Sequence, residues 1–538
     1  MKTGYDYVIL GGGSAGCLLA NRLSADPACS VLLVEAGSRD WDPLIRVPMM
    51  AGIYYRTKIH NWAYLTEPEP HLDNRRIEWP RGRVLGGSSA INGMVYTRGN
   101  RFDYDQWAQL GLREWSYERL LPYFKRFENF EDGANEFHGA GGELPVTTPK
   151  TPWPLFDTFF EAGQQMGLSF NGDFNGETQD GVGRYHTSSG GGERWSTSRA
   201  FLDPVRDRPN LDIVTSVTVL RVLITNGRAR GVAILAQGMK CEVAAAREVI
   251  VSCGTISSPA VLMHSGIGPA EELSAQGIPV VLNSRNVGKN LQDHLNLRLE
   301  YTSHKEDPLF ALRRIDKAAL NILRALFFKS GPAASFPLQA GAFLRSRPDL
   351  AAPDLQFHFL PGVSSGRIRA PFLKVPDGVY EGYGLSCNVC HLRPESRGEI
   401  RIVSNDPLER PAIKANYLSV EADRIAIREG VKRVRELFRQ PAFADYRGDE
   451  TVPGTQVQTD AEIDAFVRRT AGSIYHPVGT CRMGVDQESV VDEELRVRGI
   501  DGLRVVDASV MPNLVSANTN APTIMIAERG AAFIQKTA

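Results

Sequence analysis

The chain has 538 residues, 42% hydrophobic and 23% charged, a composition that buries a large core and excludes disordered and fibrous classes. Its 61 Lys and Arg against 62 Asp and Glu leave a formal charge of −1, so no net field draws nucleic acid, and the composition points to small, largely uncharged partners. Seven cysteines, few and odd in number, argue against a secreted disulfide framework and for a reducing, cytoplasmic compartment.

The N-terminus is the most readable part. Residues 5–10 form a short apolar run that glycine interrupts too early for a signal peptide or anchor. The run reads instead as a buried strand, followed by the turn Gly11-Gly12-Gly13-Ser14-Ala15-Gly16, a helix over 17–23 and a second buried strand over 30–35. This is a βαβ unit of dinucleotide-binding length, with Gly11 for the tight turn, Gly13 for close approach of pyrophosphate and Gly16 for helix-to-strand packing. The helix N-terminus presents free N–H groups to the phosphates, and Glu35, 24 residues after Gly11, can accept both ribose hydroxyls while repelling a 2′-phosphate.

A second Gly/Ser-rich turn spans 82–92, where backbone can approach a flat ligand closely. Residues 130–200, rich in Gly, Pro and aromatics, read as loops packed over a site. A β-rich stretch covers 210–251, and at 254–268 a strand gives way to a short helix ending on glycine. The run 318–330 (AALNILRALFFKS) is amphipathic and too short to span a bilayer; it is expected as a buried helix, with surface attachment as the alternative. Between 301 and 455, strands at 355–360 and 399–403 suit an antiparallel sheet, and Cys387 and Cys390 read as lone thiols on opposite faces of a strand. A final helix is expected from 523 to 534, with Pro522 in its first turn.

The segments WPRGRVLGGSSAINGMVYTRG, GTISSPAVLMHSGIG, NVGKNLQDHL and YHPVGTCRMG resemble the glucose-methanol-choline (GMC) oxidoreductases, FAD-dependent alcohol dehydrogenases and oxidases. The resemblance runs over essentially the whole chain and is strongest to bacterial dehydrogenases of primary alcohols, polyethylene glycol and choline. It implies an α/β chain with a Rossmann-like FAD domain (1–155 and 206–300), a loop-rich segment over the active site (156–205), a substrate domain on an antiparallel sheet (301–460) and a C-terminal catalytic segment (461–538). Flavin contacts are implied at Gly11, Gly13, Ser14, Ala15, Gly16, Glu35, Ala36, Arg83, Gly86, Ser88, Asn92, Gly93, Met94, Val95, Val217, Tyr475, Asp507, Ala508, Thr519 and Asn520. Ile91 stands where members with covalent flavin carry histidine, so noncovalent FAD is expected.

Removing a hydride from an alcohol carbon requires the hydroxyl to lose its proton, and histidine is the natural base near neutrality. Of ten histidines, His476 matches the family's catalytic position, and Asn518 matches the second member of the pair, which orients the substrate oxygen. The resemblance thus implies oxidation of a primary alcohol to an aldehyde by proton abstraction at His476 and hydride transfer to flavin N5, with a quinone or other acceptor. Choline dehydrogenase and an O2-using oxidase remain open, as do, more remotely, a lyase or a photodecarboxylase on the same fold, the latter disfavoured by Leu392 where its characteristic cysteine is expected. No nucleic acid or metal is expected, oligomeric state is open, and membrane association is limited to peripheral contact, at the inner face of the membrane.

Overall fold

The computed structural model describes residues 2–363 and 382–537, so residues 364–381 of the expected substrate domain lie outside the described residues. Along the chain run β1 (Gly4–Leu10), α1 (Ser14–Leu23), β2 (Val31–Val34), α2 (Pro154–Gln165), β3 (Gly181–Arg184), β4 (Leu211–Val214), β5 (Val217–Thr225), β6 (Arg228–Ala236) and β7 (Met239–Val251). There follow α3 (Gly254–His264), β8 (Leu295–Ser303), α4 (Ile315–Phe328), β9 (Ala340–Leu344), β10 (Leu355–Leu360), β11 (Gly384–His391), α5 (Glu421–Arg439), β12 (Arg447–Val452), β13 (Gly472–Ser473), β14 (Leu503–Val505) and α6 (Asn520–Thr537).

Two seven-stranded sheets organise these elements. The first has the order β4-β2-β1-β7-β6-β5, with β14 beside β7. Strand β1 is central because Val8, Ile9 and Leu10 are apolar on both faces, which suits parallel pairing with β2 (Leu10↔Val34) and β7 (Leu10↔Val251) under helical cover. The cover includes α1 and α6, which pack together and are tied by the ion pair of Arg22 with Glu528 at 3.0 Å. All of β1's crossovers leave the C-terminal ends of β1, β2 and β7 on one side, where ligands of such sheets bind.

The second sheet is antiparallel, in the order β12-β8-β11-β10-β9-β3, with β13 beside β8. Its strands pack against α5, whose Ile427, Val431, Val434 and Phe438 recur at helical spacing and are fully buried. Cys387 and Cys390 both lie on β11 as buried free thiols.

Two segments differ from the expectation. Within 130–200, α2 is a regular helix, because Leu155, Phe156, Phe159 and Phe160 recur one turn apart and are all buried, and β3 joins the second sheet. The helix over 318–330 is not buried. Only Ala325 of α4 is fully enclosed; Ile322 and Leu326 pack on a small cluster with Ile45, Tyr54 and Ile91, while the opposite face is bare. Amphipathic spacing predicts that a helix has two faces, and it leaves open which of them meets protein.

Candidate active site

A cavity of about 1080 Å3 is lined by both sheets, just above the usual range of about 300–1,000 Å3 for small-molecule sites. Of the residues expected at the flavin and the substrate, all line it except Gly16 and Gly86. Those two act one layer out. A methyl group on Gly16 would lie 1.9 Å from the Gly11 carbonyl oxygen, so the absent side chain is what lets α1 approach β1. Gly86, at φ 88°, makes the left-handed turn that begins the 3-10 turn Gly87–Ala90.

At one end of the cavity, α1 starts at Gly13 with no side chain capping its N-terminus and no acidic residue in its first turn, which leaves its N–H groups free for an anion. Glu35 follows β2 and is enclosed; its Oε2 accepts from the Gly12 N–H at 2.8 Å and its Oε1 from the Gly37 N–H at 2.7 Å. Burial pushes this carboxyl up to about 7, against the pull of those two donors and of Arg83. The Ser14 hydroxyl donates to Asn520 Oδ1 at 2.7 Å, so the N-termini of α1 and α6 meet at the cavity. Asp507 lines the same region, but its carboxylate already accepts from the Gly254 N–H, the Ser258 hydroxyl and the Ser509 N–H, and so splices α3 to the 507 loop. One uncapped helix N-terminus, the first residue of α6 hydrogen-bonded to it, a buried carboxylate and a glycine-lined cradle form a set that fits FAD.

The catalytic candidates stand at the other end. Tyr475 adopts a left-handed backbone (φ 73°), held by its N–H on Ser473 Oγ at 2.7 Å and by the Arg81 guanidinium on its carbonyl at 2.6 Å. The His476 N–H that follows donates to Asp293 Oδ1 at 2.7 Å, and Asp293 Oδ2 accepts from the Ser473 and Tyr417 hydroxyls. His476 is thereby fixed from behind by a buried carboxylate.

Its imidazole is oriented by a second histidine. His294 Nε2 lies 3.1 Å from the Leu392 carbonyl, which can only accept, so Nε2 carries the proton and Nδ1 a lone pair. His294 Nδ1 is 3.0 Å from His476 Nδ1, so the latter is protonated and donates. The lone pair of His476 is thus left on Nε2, facing Asn518 Nδ2 at 3.3 Å. The Asn518 amide is oriented the same way, because its Oδ1 accepts from the Thr97 hydroxyl and the Gln356 amide, both at 3.2 Å. Burial, then the neighbouring His294, His358 and Arg81, hold His476 well below the ordinary imidazole range, and burial pushes His294 down to about 3. Both rings are neutral at pH 7, which leaves a free base beside an amide donor.

His294, Asp293, Thr97 and Gln356 were not anticipated as site residues. Asp293 and His294 lie in NLQDHL and Thr97 in MVYTRG, segments whose match to the family could have flagged them; Gln356 carries no local signal, since its place on β10 is what brings it to Asn518.

Comparison with known proteins identifies the family. Residues 5–296 and 394–527 match the two family models described as GMC oxidoreductase. The chain is 45% identical over 534 residues to an alcohol dehydrogenase [acceptor] of Pseudomonas putida, covering 98% of this chain and 95% of the relative. It is likewise 45% identical over 535 residues to an oxygen-dependent choline dehydrogenase of Cronobacter sakazakii, covering 98% and 94%. Among solved structures, pyridoxine 4-oxidase from Mesorbium loti superposes with a TM-score of 0.88 at 33% identity, covering 98% of this chain and 99% of that one. Formate oxidase gives 0.91 at 29% identity, covering 100% and 99%. With both family models matched and relatives aligned over nearly the full length, the chain belongs to the GMC oxidoreductase family.

Proposed function

We propose that this protein oxidises primary alcohols with an apolar or polyether tail to aldehydes, as a dehydrogenase that passes electrons to a quinone or another acceptor, with peripheral contact to a membrane. The observation that carries the reading is the unprotonated Nε2 of His476 beside the Asn518 amide, at the end of a cavity continued by Ile53, Leu309, Ile322, Phe336, Leu338 and Leu360. Bound noncovalently, FAD supplies the hydride acceptor; Gly13, Ser14, Glu35, Thr519 and Asn520 are the residues that would hold it. Noncovalent binding is supported by Ile91, which lines the cavity and has no group to form a bond.

In this mechanism Asn518 Nδ2 donates to the substrate oxygen, and His476 Nε2 takes the hydroxyl proton as the C–H bond breaks. His294 Nδ1 keeps its hydrogen bond to the resulting imidazolium, and the apolar walls exclude water from the aldehyde. The absence of the Asn518 donor or the His476 base would each raise the barrier, the base by ~10²–10⁴ in rate.

The cavity lining favours a neutral substrate over choline. Arg56, Arg81, Arg83, Arg298, Arg313 and Arg410 line it against Glu35, Glu78, Glu409 and Asp507, and two of its aromatic rings, Trp62 and Tyr64, already carry the Arg83 and Arg410 guanidiniums at 4.5 and 5.6 Å. The test is anaerobic reduction of the bound flavin by ethanol, butanol, hexanol, octanol and choline. Each buried CH₂ contributes about 0.8 kcal/mol, so kcat/KM is expected to climb about fourfold per methylene until the cavity fills. Fast reduction by choline with a flat alcohol series refutes the reading; rapid reoxidation by O2 makes the enzyme an oxidase. Acid precipitation should leave the yellow colour in the supernatant, and colour in the pellet refutes noncovalent binding.

A further inference from the structure

We propose that the outer face of α4 docks the protein on an anionic lipid surface, an inference that gives the membrane contact of the proposed function its site. Five large apolar side chains of this one helix stand in solvent: Ile315 (50% exposed), Leu320 (62%), Leu323 (50%), Phe327 (71%) and Phe328 (76%). At about 100° per residue, Leu320, Leu323 and Phe327 share an arc of about 60°. That arc lies on the side of the helix turned away from Ala325 and Ile322, which pack inward, with Leu326 bordering the two faces. Scattered exposed apolar residues are ordinary, but a continuous stripe on a two-faced helix is the mark of an interaction surface.

Charge decides the occupant. Arg314, Lys317, Arg324 and Lys329 flank the stripe against the single carboxylate of Asp316. Asp316 is paired with Arg314 at 2.9 Å and Lys329 with Glu193 at 3.2 Å, while Lys317 and Arg324 pair with no carboxylate among the described residues. In a chain of net charge −1 this is a local excess of positive charge around an apolar ridge, the pattern that lays a helix into the headgroup region of an anionic bilayer. Nearby, Trp41 is 74% exposed, two residues before the turn Pro43–Arg46 that touches α4, and adds an aromatic ring of the kind that settles at such interfaces.

Position completes the case. Ala318, Asn321 and Ile322, on the inner side of α4, line the active-site cavity, so this helix is the wall between cavity and solvent. A helix seated in lipid by its outer face holds the cavity wall at the bilayer surface, where long-chain alcohols partition.

The experiment uses purified holoprotein and co-sedimentation with vesicles of phosphatidylcholine alone or mixed with phosphatidylglycerol. Binding to the mixed vesicles is expected, weakened by salt, with little binding to the neutral ones. Leu320→Glu with Phe327→Glu should lower the bound fraction at least about 10-fold, and Lys317→Glu with Arg324→Glu should remove the preference for phosphatidylglycerol. None of these side chains lines the cavity, so flavin content and reduction by butanol in vesicle-free buffer should match the wild type; failure of the wild type itself to be reduced by butanol speaks against the alcohol reading, not against docking. Wild-type protein that binds neither vesicle, or a Leu320→Glu/Phe327→Glu variant that binds as well as wild type, overturns the proposal. If sedimentation velocity finds a dimer that the same variant dissociates, and the wild type ignores vesicles, the face is a contact between copies and the proposal is equally overturned.

Discussion

The hydrogen-bond chain from the Leu392 carbonyl through His294 to His476 fixes where one proton sits, and its effect is readable in pH profiles. Because His476 is held well below the ordinary imidazole range, kcat/KM for alcohols should be flat from neutral pH upward and fall only on the acid side, well below 6.5. His294→Ala leaves the His476 Nδ1–H without its acceptor. The expected result is a fall in kcat of about 10-fold or more with KM little changed, a displaced acid limb, and partial rescue in His294→Gln, which restores an acceptor. An unmoved acid limb would show that His294 only fills space. Glu35 makes a second prediction. Its carboxyl, raised to about 7 by burial, offers both oxygens as acceptors to a ribose only when ionised, so FAD should be retained less well as pH falls through about 7. Because the folded pKa is raised, the group's own contribution to stability is complete below about 4.5 and is lost as pH rises towards 7, so apoprotein stability should move opposite to FAD affinity. Dialysis at a series of pH values measures the first trend, and Glu35→Gln should flatten it.

Among the elements, β1, α1 and β2 were legible in the sequence because local signals agree there: apolar runs of strand length, glycine at the turn and a carboxylate at the next strand end. Gly16→Ala tests the tightest of those signals. With the new methyl 1.9 Å from the Gly11 oxygen, α1 must move from β1, and the variant should purify with little flavin or not fold; full flavin occupancy with unchanged melting would contradict the packing. The C-terminal helix was also legible, extending three residues either side of its expected limits, since Pro522 fits a first turn. The environment of the catalytic pair was less so. The residues that orient His476 and Asn518 come from Asp293 and His294 just before β8, from β10 and from Thr97, and nothing local announces that these meet. The face of α4 was misjudged for a related reason: its spacing is equally good for a core helix and for one that keeps its ridge outside, and the choice depends on what the fold leaves next to it.

At the scale of the molecule, a cavity of about 1080 Å3 between two sheets is a large volume without protein packing, and filling it should stabilise both. A ligand that binds only the folded chain stabilises it by about 2.7 kcal/mol at 100 times its Kd, so scanning calorimetry of apoprotein with added FAD should show Tm rising with concentration; a Tm independent of FAD would place the ligand elsewhere. The hydrogen bond from Ser14 to Asn520 has a further consequence. The two residues are 506 positions apart, and the sheet between them recruits β14 at 503–505. A ribosome that has made the glycine turn must therefore make almost the entire polypeptide before the opposite jaw of the nucleotide cradle exists. Nascent chains shorter than about 520 residues have no completed cradle, although β4 and β7 already stand available to flank β2 and β1 once residue 251 is made.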